Sequence, residues 1–363
     1  MTQKTFEPGV LSGADYQYLI QACKDGNYAL PAVNVVGTNS INAVMEAAAA
    51  NNSDVIIQLS GGGAEFYAGK GIEDGATRKA LGAISAARHV HLVAKAYGVC
   101  VVLHTDHANR KLLPWIDDLI TAGEEEFANT GRPLYSSHML DLSEESLEDN
   151  LDECASTLKR LNAIDMSLEI ELGVTGGEED GVGSDIEGDD FDNARLFTQP
   201  SEVLEAYNRL TPLGHFTIAA AFGNVHGVYK PGNVKLRPEI LKLSQEETIA
   251  KVNTGPKPLS FVFHGGSGSE PAKIKEAIEY GVVKMNIDTD TQFAFAEGVG
   301  AYVAENTNAF HHQLDPETGA PLKKKYDPRA WLRAGEDNMV SRLNEAFEVL
   351  GSKGRSLSSA MQD

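Results

Sequence analysis

LSFVFHGGSGSEPAKIKEAIEYGVVKMNID, residues 259–288, holds one complete strand–loop–helix–strand unit. A short apolar run ends at His264, and a glycine–serine loop follows. EPAKIKEAIEYG carries helical spacing, and a second apolar run ends at Asn286 and Asp288. Short apolar runs separated by helical stretches read as βα units of a parallel sheet. The pattern repeats outward from there. Residues 28–36, 54–60, 99–107, 134–142, 167–173 and 216–223 are further runs of the same kind, making eight with 259–265 and 282–288. At or just past their C-terminal ends stand Asn34, Ser60, Asp106–His107, Asp141, Glu171, Asn224–His226, His264–Gly265 and Asn286–Asp288. Eight units predict an α/β fold closed into a (β/α)8 TIM barrel, with helical extensions at both ends of the chain. The active site of such a barrel lies on the rim formed by the C-terminal strand ends. The polar residues fall on that rim.

The 363 residues suit one barrel of roughly 250 residues with insertions. A single domain over 1–363 is expected, with barrel strands from about 28 to 288 and a C-terminal helical extension over 289–363. Hydrophobic residues at 42% and charged residues at 23% are the balance of a globular chain with a large core. A net charge of −21 leaves no basic stripe for nucleic acid, so no such partner is expected. An anionic ligand would have to be held locally, by backbone N–H groups, a metal ion, or a few Lys and Arg. Cys23, Cys100 and Cys154 form no CxxC pair, which points to reduced thiols and a cytoplasmic protein. The N-terminal MTQKTFEPGV has no export-signal pattern, and no run approaches ~18 apolar residues, so no membrane partner is expected.

Residues up to about 27 read as a helix before the first strand. Helical spacing continues over 40–50, 81–97, 113–130 and 144–162, the last with Ser143 as its candidate start and acids in the first turn. The stretch 174–197, VTGGEEDGVGSDIEGDDFDNARLF, is too long for an ordinary βα connection and reads as irregular. It suits a functional lid hinged at Gly176, Gly177 and Gly181, or a solvated acidic loop. Helices follow the eighth strand through 305, then a polar stretch, 311–325, then helix again over 327–350.

Three of the ten histidines stand at strand ends: His107, His226 and His264. Any one alone reads as a hydrogen-bonded structural residue. Three imidazoles from different strands, beside carboxylates, read as a divalent metal site. Neutral nitrogen donors suit Zn2+, and three protein ligands leave a position open for substrate. His89 and His91 form a rival HxH motif, but they lie in helical ISAARHVHLVAKAYG, where two steps turn the rings roughly 200° apart. His311 and His312 read as surface, and His138 and His215 as structural. Glu169 and Glu171 share one face of the fifth strand. A carboxylate pointing into a barrel needs a partner or a metal. Glu171, at the strand end, is the better ligand candidate, and Asp141 could complete a second cation site. The His264–Ser269 loop offers backbone N–H groups to a phosphate where barrels commonly bind one. Asn286, Asp288 and Thr289 close the same corner. Ser60 with Gly61–Gly63 is a weaker echo, equally readable as a tight turn.

LHTDH, SSHMLDLSEES, LEIELG, TGGEEDG, FGNVHGVYKPGN, FVFHGGSGS, VVKMNIDTDTQ and DPRAWLR occur in this order. Together they resemble the class II, metal-dependent fructose-bisphosphate aldolases, in their longer dimeric subgroup, over nearly the whole chain. The resemblance implies catalytic Zn2+ on His107, His226 and His264, with Asp141 and Glu171 at a second divalent position. It implies Asp106 as proton donor and acceptor at the hydroxyl that becomes the aldehyde. Glu179, in the long loop, would handle the carbon-bound proton. Gly227, Gly265, Gly266, Ser267, Asn286, Ile287, Asp288 and Thr289 would bind dihydroxyacetone phosphate, with a monovalent cation (K+ or Na+) near Gly227 and Gly265. Asn34, Ser60, Lys323 and Arg329 would contact the rest of the sugar bisphosphate, Arg329 from the neighbouring subunit of a homodimer. Two features depart from the family pattern. Ala108 follows TDH where Cys is frequent, and 184–192 is unusually acidic.

Aldol cleavage needs an electron sink at the ketone oxygen, which a divalent ion on neutral imidazoles would supply, and a carboxylate to take the hydroxyl proton. Three rivals stand beside this reading. One is a Schiff-base aldolase using Lys284 or Lys230. Another acts on a different ketose bisphosphate such as tagatose 1,6-bisphosphate. The third is a catalytically silent sugar-phosphate binder. One conflict is visible in the third strand. Strict alternation puts His104 and Asp106 on one face and His107 on the other, so the strand has to end or bend there.

Overall fold

Each of the eight apolar runs becomes a strand in the computed structural model, which describes residues 4–175, 177–179, 182–184, 197–225, 236–266 and 268–361. In chain order the strands are β1 (Gly9–Val10), β2 (Leu30–Asn34), β3 (Val55–Leu59), β4 (Cys100–Thr105), β5 (Ser137–Leu140) and β6 (Ser167–Leu172). They continue as β7 (Gly177–Glu179), β8 (Val182–Ser184), β9 (Phe216–Ala220), β10 (Phe261–Phe263) and β11 (Val282–Ile287). The order β4-β3-β2-β11-β10-β9-β6-β5 is parallel throughout, and β5 pairs back onto β4, so the sheet is a closed eight-stranded barrel. The connecting helices are α1 (Gly13–Gly26), α2 (Thr38–Ala50), α3 (Gly61–Ala68), α4 (Gly75–Tyr97), α5 (Leu113–Thr130), α6 (Leu147–Asn162), α7 (Pro200–Leu210), α8 (Glu239–Val252) and α9 (Pro271–Glu279). After β11 come α10 (Thr289–Glu305), α11 (Thr307–His311), α12 (Lys323–Tyr326) and α13 (Pro328–Val349). None of the described helices is long and apolar enough to cross a membrane.

The strands are apolar on both faces because both are covered. Val33, Ile57, Leu103, Ile170 and Phe263 point outward into one continuous core with the helices. Ala32, Ile56 and Val102 point inward, into a second core that also takes Tyr16, Leu19, Ile20 and Cys23 from α1. Helix α1 thus plugs the N-terminal end of the barrel. Met139, Ala219 and Val262 fill the middle. The inward positions two residues further along these strands are Asn34, Gln58, His104 and His264. The barrel interior therefore runs from apolar at the plugged end to polar at the open one.

Several elements differ from expectation, each for a local reason. β1 is a two-residue strand on the N-terminal half of β4, with Gly9 opposite Cys100 and Val10 opposite Val101, too short to show a period. Gly61–Gly63 is neither nest nor simple turn: Ser60 caps α3, accepting from Gly63 N at 3.1 Å. Helix α6 starts at Leu147 rather than Glu144, because Ser146 is the N-cap, accepting from Asp149 N at 3.1 Å. Ser143 instead donates its hydroxyl to Asp141 Oδ1 at 2.7 Å. Within 174–197, β7 and β8 form a short antiparallel hairpin.

Candidate metal centre and active site

Strand β4 stops at Thr105, and His107 has φ +33°, in the left-handed region that a non-glycine residue occupies at a cost of about 1–3 kcal/mol. That step resolves the alternation conflict. Asp106 keeps the inward parity of His104, and the turn at His107 brings the next side chain to the same rim. Both are buried.

Asp106 is held by amides. Asn34 Nδ2 donates to Oδ2 at 2.9 Å, and Asn286 Nδ2 donates to Oδ1 at 3.0 Å. Gln58 Nε2 in turn donates to Asn34 Oδ1 at 2.6 Å. β2, β3, β4 and β11 thus fix one carboxylate. Beside it, His107 Nδ1 lies 3.0 Å from Asp141 Oδ2 and 3.7 Å from Glu171 Oε2. The His107 and His264 rings stand 4.6 Å apart, and His264 Nδ1 is 3.4 Å from Glu171 Oε2. Asn224 Nδ2 donates to the His264 carbonyl at 2.9 Å. Asp106, His107 and His264 each offer a ligand atom within 4.8 Å of the others, and so do His107, Asp141 and Glu171.

This donor set fits a divalent ion. Two imidazoles and the carboxylates of Asp141 and Glu171 share a nearly dry pocket beside Asp106, and their mixed nitrogen and oxygen character suits Zn2+ and its neighbours. Burial alone would strip the His107 ring of its second proton, yet Asp106, Asp141 and Glu171 hold its pKa well above the usual range. Burial and the neighbouring His107 oppose protonation of His264 as well, but Glu169 and Glu171 raise it to about 9. The Asp141 carboxyl, which burial would push up, is held far below its ordinary value by His107 and Ser143. The cluster demands positive charge.

The loop after β10 is the one expected to hold phosphate. Gly265 has φ +59°, and a Cβ on Gly266 would stand 2.4 Å from Met285 Cε, so both positions suit glycine. Asn286 and Ile287 end β11, Asp288 precedes α10 with both carboxylate oxygens accepting from Gln292 Nε2 at 2.8 Å, and Thr289 opens that helix. Lys323 and Arg329 are exposed on the C-terminal extension, and Arg329 pairs with Asp327 at 2.6 Å. His226, Gly227, Ser267 and Lys230 lie outside the described residues, and of Glu179 only the backbone, in β7, is described. His89 bonds Asn42, His91 the Leu134 carbonyl and His138 the Thr105 hydroxyl, as structural histidines do. Sequence reasoning set Glu169 on the inward face in need of a partner or a metal without finding that partner, and weighed Lys284 only as a nucleophile. Lys284 Nζ donates to both Glu169 oxygens, at 2.8 and 3.0 Å, which leaves the amine engaged. A polar residue inside an apolar strand was the available signal for both.

Barrel, rim cluster and glycine loop define a (β/α)8 barrel with a metal-competent site on its C-terminal rim. Its family follows from comparison with known proteins. The model of the class II fructose-bisphosphate aldolase family matches residues 14–355. A fructose-bisphosphate aldolase of Haemophilus influenzae is 56% identical over 349 residues, covering 95% of this chain and 96% of that one. A class 2 fructose-bisphosphate aldolase of Escherichia coli matches with the same identity and coverage. A crystal structure of a fructose-bisphosphate aldolase from Campylobacter jejuni superposes with a TM-score of 0.87 at 55% identity, covering 96% and 97% of the two chains. The chain belongs to the class II fructose-bisphosphate aldolases, a metal-dependent family of aldehyde-lyases.

Proposed function

We propose that this chain catalyses the reversible cleavage of fructose 1,6-bisphosphate into dihydroxyacetone phosphate and glyceraldehyde 3-phosphate, in glycolysis and gluconeogenesis, with Zn2+ on His107, His226 and His264. The observation that carries this is Asp106, fixed by Asn34 and Asn286, next to the His107–His264 pair. When bound, the ion supplies Lewis-acid stabilisation of the charge that develops on the ketone oxygen. Asp106 takes the proton from the hydroxyl that becomes the aldehyde, and returns it in the condensation direction. Its two amide donors hold the carboxylate in position for that transfer. Glu179, on the loop after β6, moves the proton at the carbon of dihydroxyacetone phosphate once water is excluded. Backbone N–H groups at Gly227 and 265–267, with Asn286, Ile287, Asp288 and Thr289, hold the phosphate. Binding energy far from the reacting bond thereby positions that bond. Asp141 and Glu171 serve a second divalent position, and K+ or Na+ near Gly227 and Gly265 supports the phosphate loop.

Asn34, Ser60 and Lys323 contact the rest of the sugar bisphosphate. Arg329 acts from the neighbouring subunit of a homodimer: its side chain is 90% exposed and its own Asp327 is its ion-pair partner among the described residues. The chain acts as one domain, in the cytoplasm, where its three free cysteines stay reduced. Asp106→Ala and Glu179→Ala are each expected to lower kcat by 100-fold or more, a scale set by general acid–base catalysis, with zinc content intact. Wild-type turnover in both variants contradicts the roles assigned.

A further inference from the structure

Below the rim lies a second set of buried charges that the cleavage chemistry leaves unused. Glu169 and Lys284 are each 1% exposed. Lys284 Nζ donates to both Glu169 oxygens, at 2.8 and 3.0 Å. Glu169 Oε1 also stands 3.0 Å from His264 Nε2. Glu169 Oε2 takes the Thr217 hydroxyl at 3.4 Å and lies 3.5 Å from His104 Nε2. The other nitrogen of His264, Nδ1, faces Glu171 at 3.4 Å, on the side of the His107 ring.

An ionised carboxylate only accepts hydrogen bonds. The His264 nitrogen that meets Glu169 at 3.0 Å therefore carries a proton, and Nδ1, facing Glu171 at 3.4 Å on the His107 side, is the nitrogen left to give up its proton to a bound ion. We infer that Glu169, clamped by Lys284, is a positioning residue: it fixes His264 as the Nε2–H tautomer and aims Nδ1 at the divalent ion. This rests on the reading of His264 as a metal ligand. Carboxylate–histidine–metal arrangements orient the ring and set its basicity. Lys284 is what keeps the carboxylate in this role. A lone buried carboxylate takes up a proton, and a protonated one can donate and so permit the opposite tautomer. The bidentate clamp also sets the Glu169 rotamer, so that Oε1 falls on Nε2.

The test uses the full-length protein. Zn2+ affinity is measured by chelator competition starting from the metal-free form, and the His264 tautomer by long-range 1H–15N NMR on the Zn2+-loaded form. His264→Ala comes first: if it leaves the Zn2+ Kd unchanged, the ligand reading itself fails. Given a loss there, Glu169→Gln is expected to weaken Zn2+ binding about 10–100-fold and to deplete the Nε2–H signal of His264. A wild-type Kd and tautomer in Glu169→Gln overturn the inference while leaving the metal site standing. Lys284→Met, if folded, is expected to weaken Zn2+ binding too; a wild-type Kd removes Lys284 from the arrangement. If Lys284→Met does not fold, the neutral pair Glu169→Gln/Lys284→Met decides. Binding no weaker than Glu169→Gln alone supports the coupling, and a further loss means that Lys284 acts by another route.

Discussion

A fully buried ion pair is strongest evidence about what happens when one half is removed. Lys284→Ala leaves Glu169 charged in the barrel interior without its chief partner, and loss of one member of a buried pair costs about 3–5 kcal/mol. Urea unfolding of the metal-free variant should show that loss; a change below about 1 kcal/mol would mean the interior is wetter than its burial implies. Burial opposes ionisation of Glu169, but the Lys284 ammonium and His104 hold its pKa well below the usual range. The same pairing with Glu169 makes Lys284 a poor Schiff-base nucleophile. At this scale the sequence told much, though unevenly. Asp106, His107 and His264 could be placed from their positions at strand ends. The left-handed turn at His107 could not, because alternation alone sends that ring outward. Asn34 and Asn286 were read as substrate contacts, and their bonds to Asp106 cross between strands far apart in the chain, which no local pattern records.

Among elements, the loop after β10 is the most sharply constrained. A methyl group on Gly266 would lie 2.4 Å from Met285 Cε and 2.9 Å from its Cγ, so either the loop or the Met285 side chain has to shift. Gly266→Ala should therefore raise KM for the bisphosphate at least tenfold, with a smaller fall in kcat, because the backbone N–H groups of the nest are displaced. Steady-state kinetics would show it, and an unchanged KM would mean that the Met285 side chain yields instead or that phosphate binds elsewhere. All eight barrel strands were legible because each is an apolar run bounded by polar residues. The pieces that escaped carry little periodic signal: the two residues of β1, the hairpin of β7 and β8, and the short α3, whose start rests on one capping hydroxyl. Ser143 and Ser146 are equally good caps in sequence, and only the pull of Asp141 on Ser143 separates them.

Across the whole molecule, the C-terminal tail is stapled to the plugged end of the barrel. Asp54, just before β3, accepts from Ser356 Oγ at 2.7 Å and from Leu357 N at 2.8 Å. Burial raises its pKa to about 6, against those hydrogen bonds. A raised folded-state value means stability that is full below the unfolded value near 4 and is lost as pH rises through about 6. Between pH 5 and 7 the Tm of wild type should therefore fall relative to Asp54→Asn. Parallel Tm curves would rule the linkage out. Sharing of Arg329 is tested by mixing subunits. Asp106→Ala and Arg329→Ala, each nearly inactive, should regain about a quarter of wild-type activity after joint refolding, since random pairing leaves one intact site in each mixed dimer. No recovery would place Arg329 on its own subunit's site. The claim on which the rest depends is the metal. Cleavage of fructose 1,6-bisphosphate should vanish after exhaustive chelation with EDTA and return when Zn2+ is added back. Activity that survives complete metal removal, with a borohydride-trapped adduct on a lysine, would contradict the account.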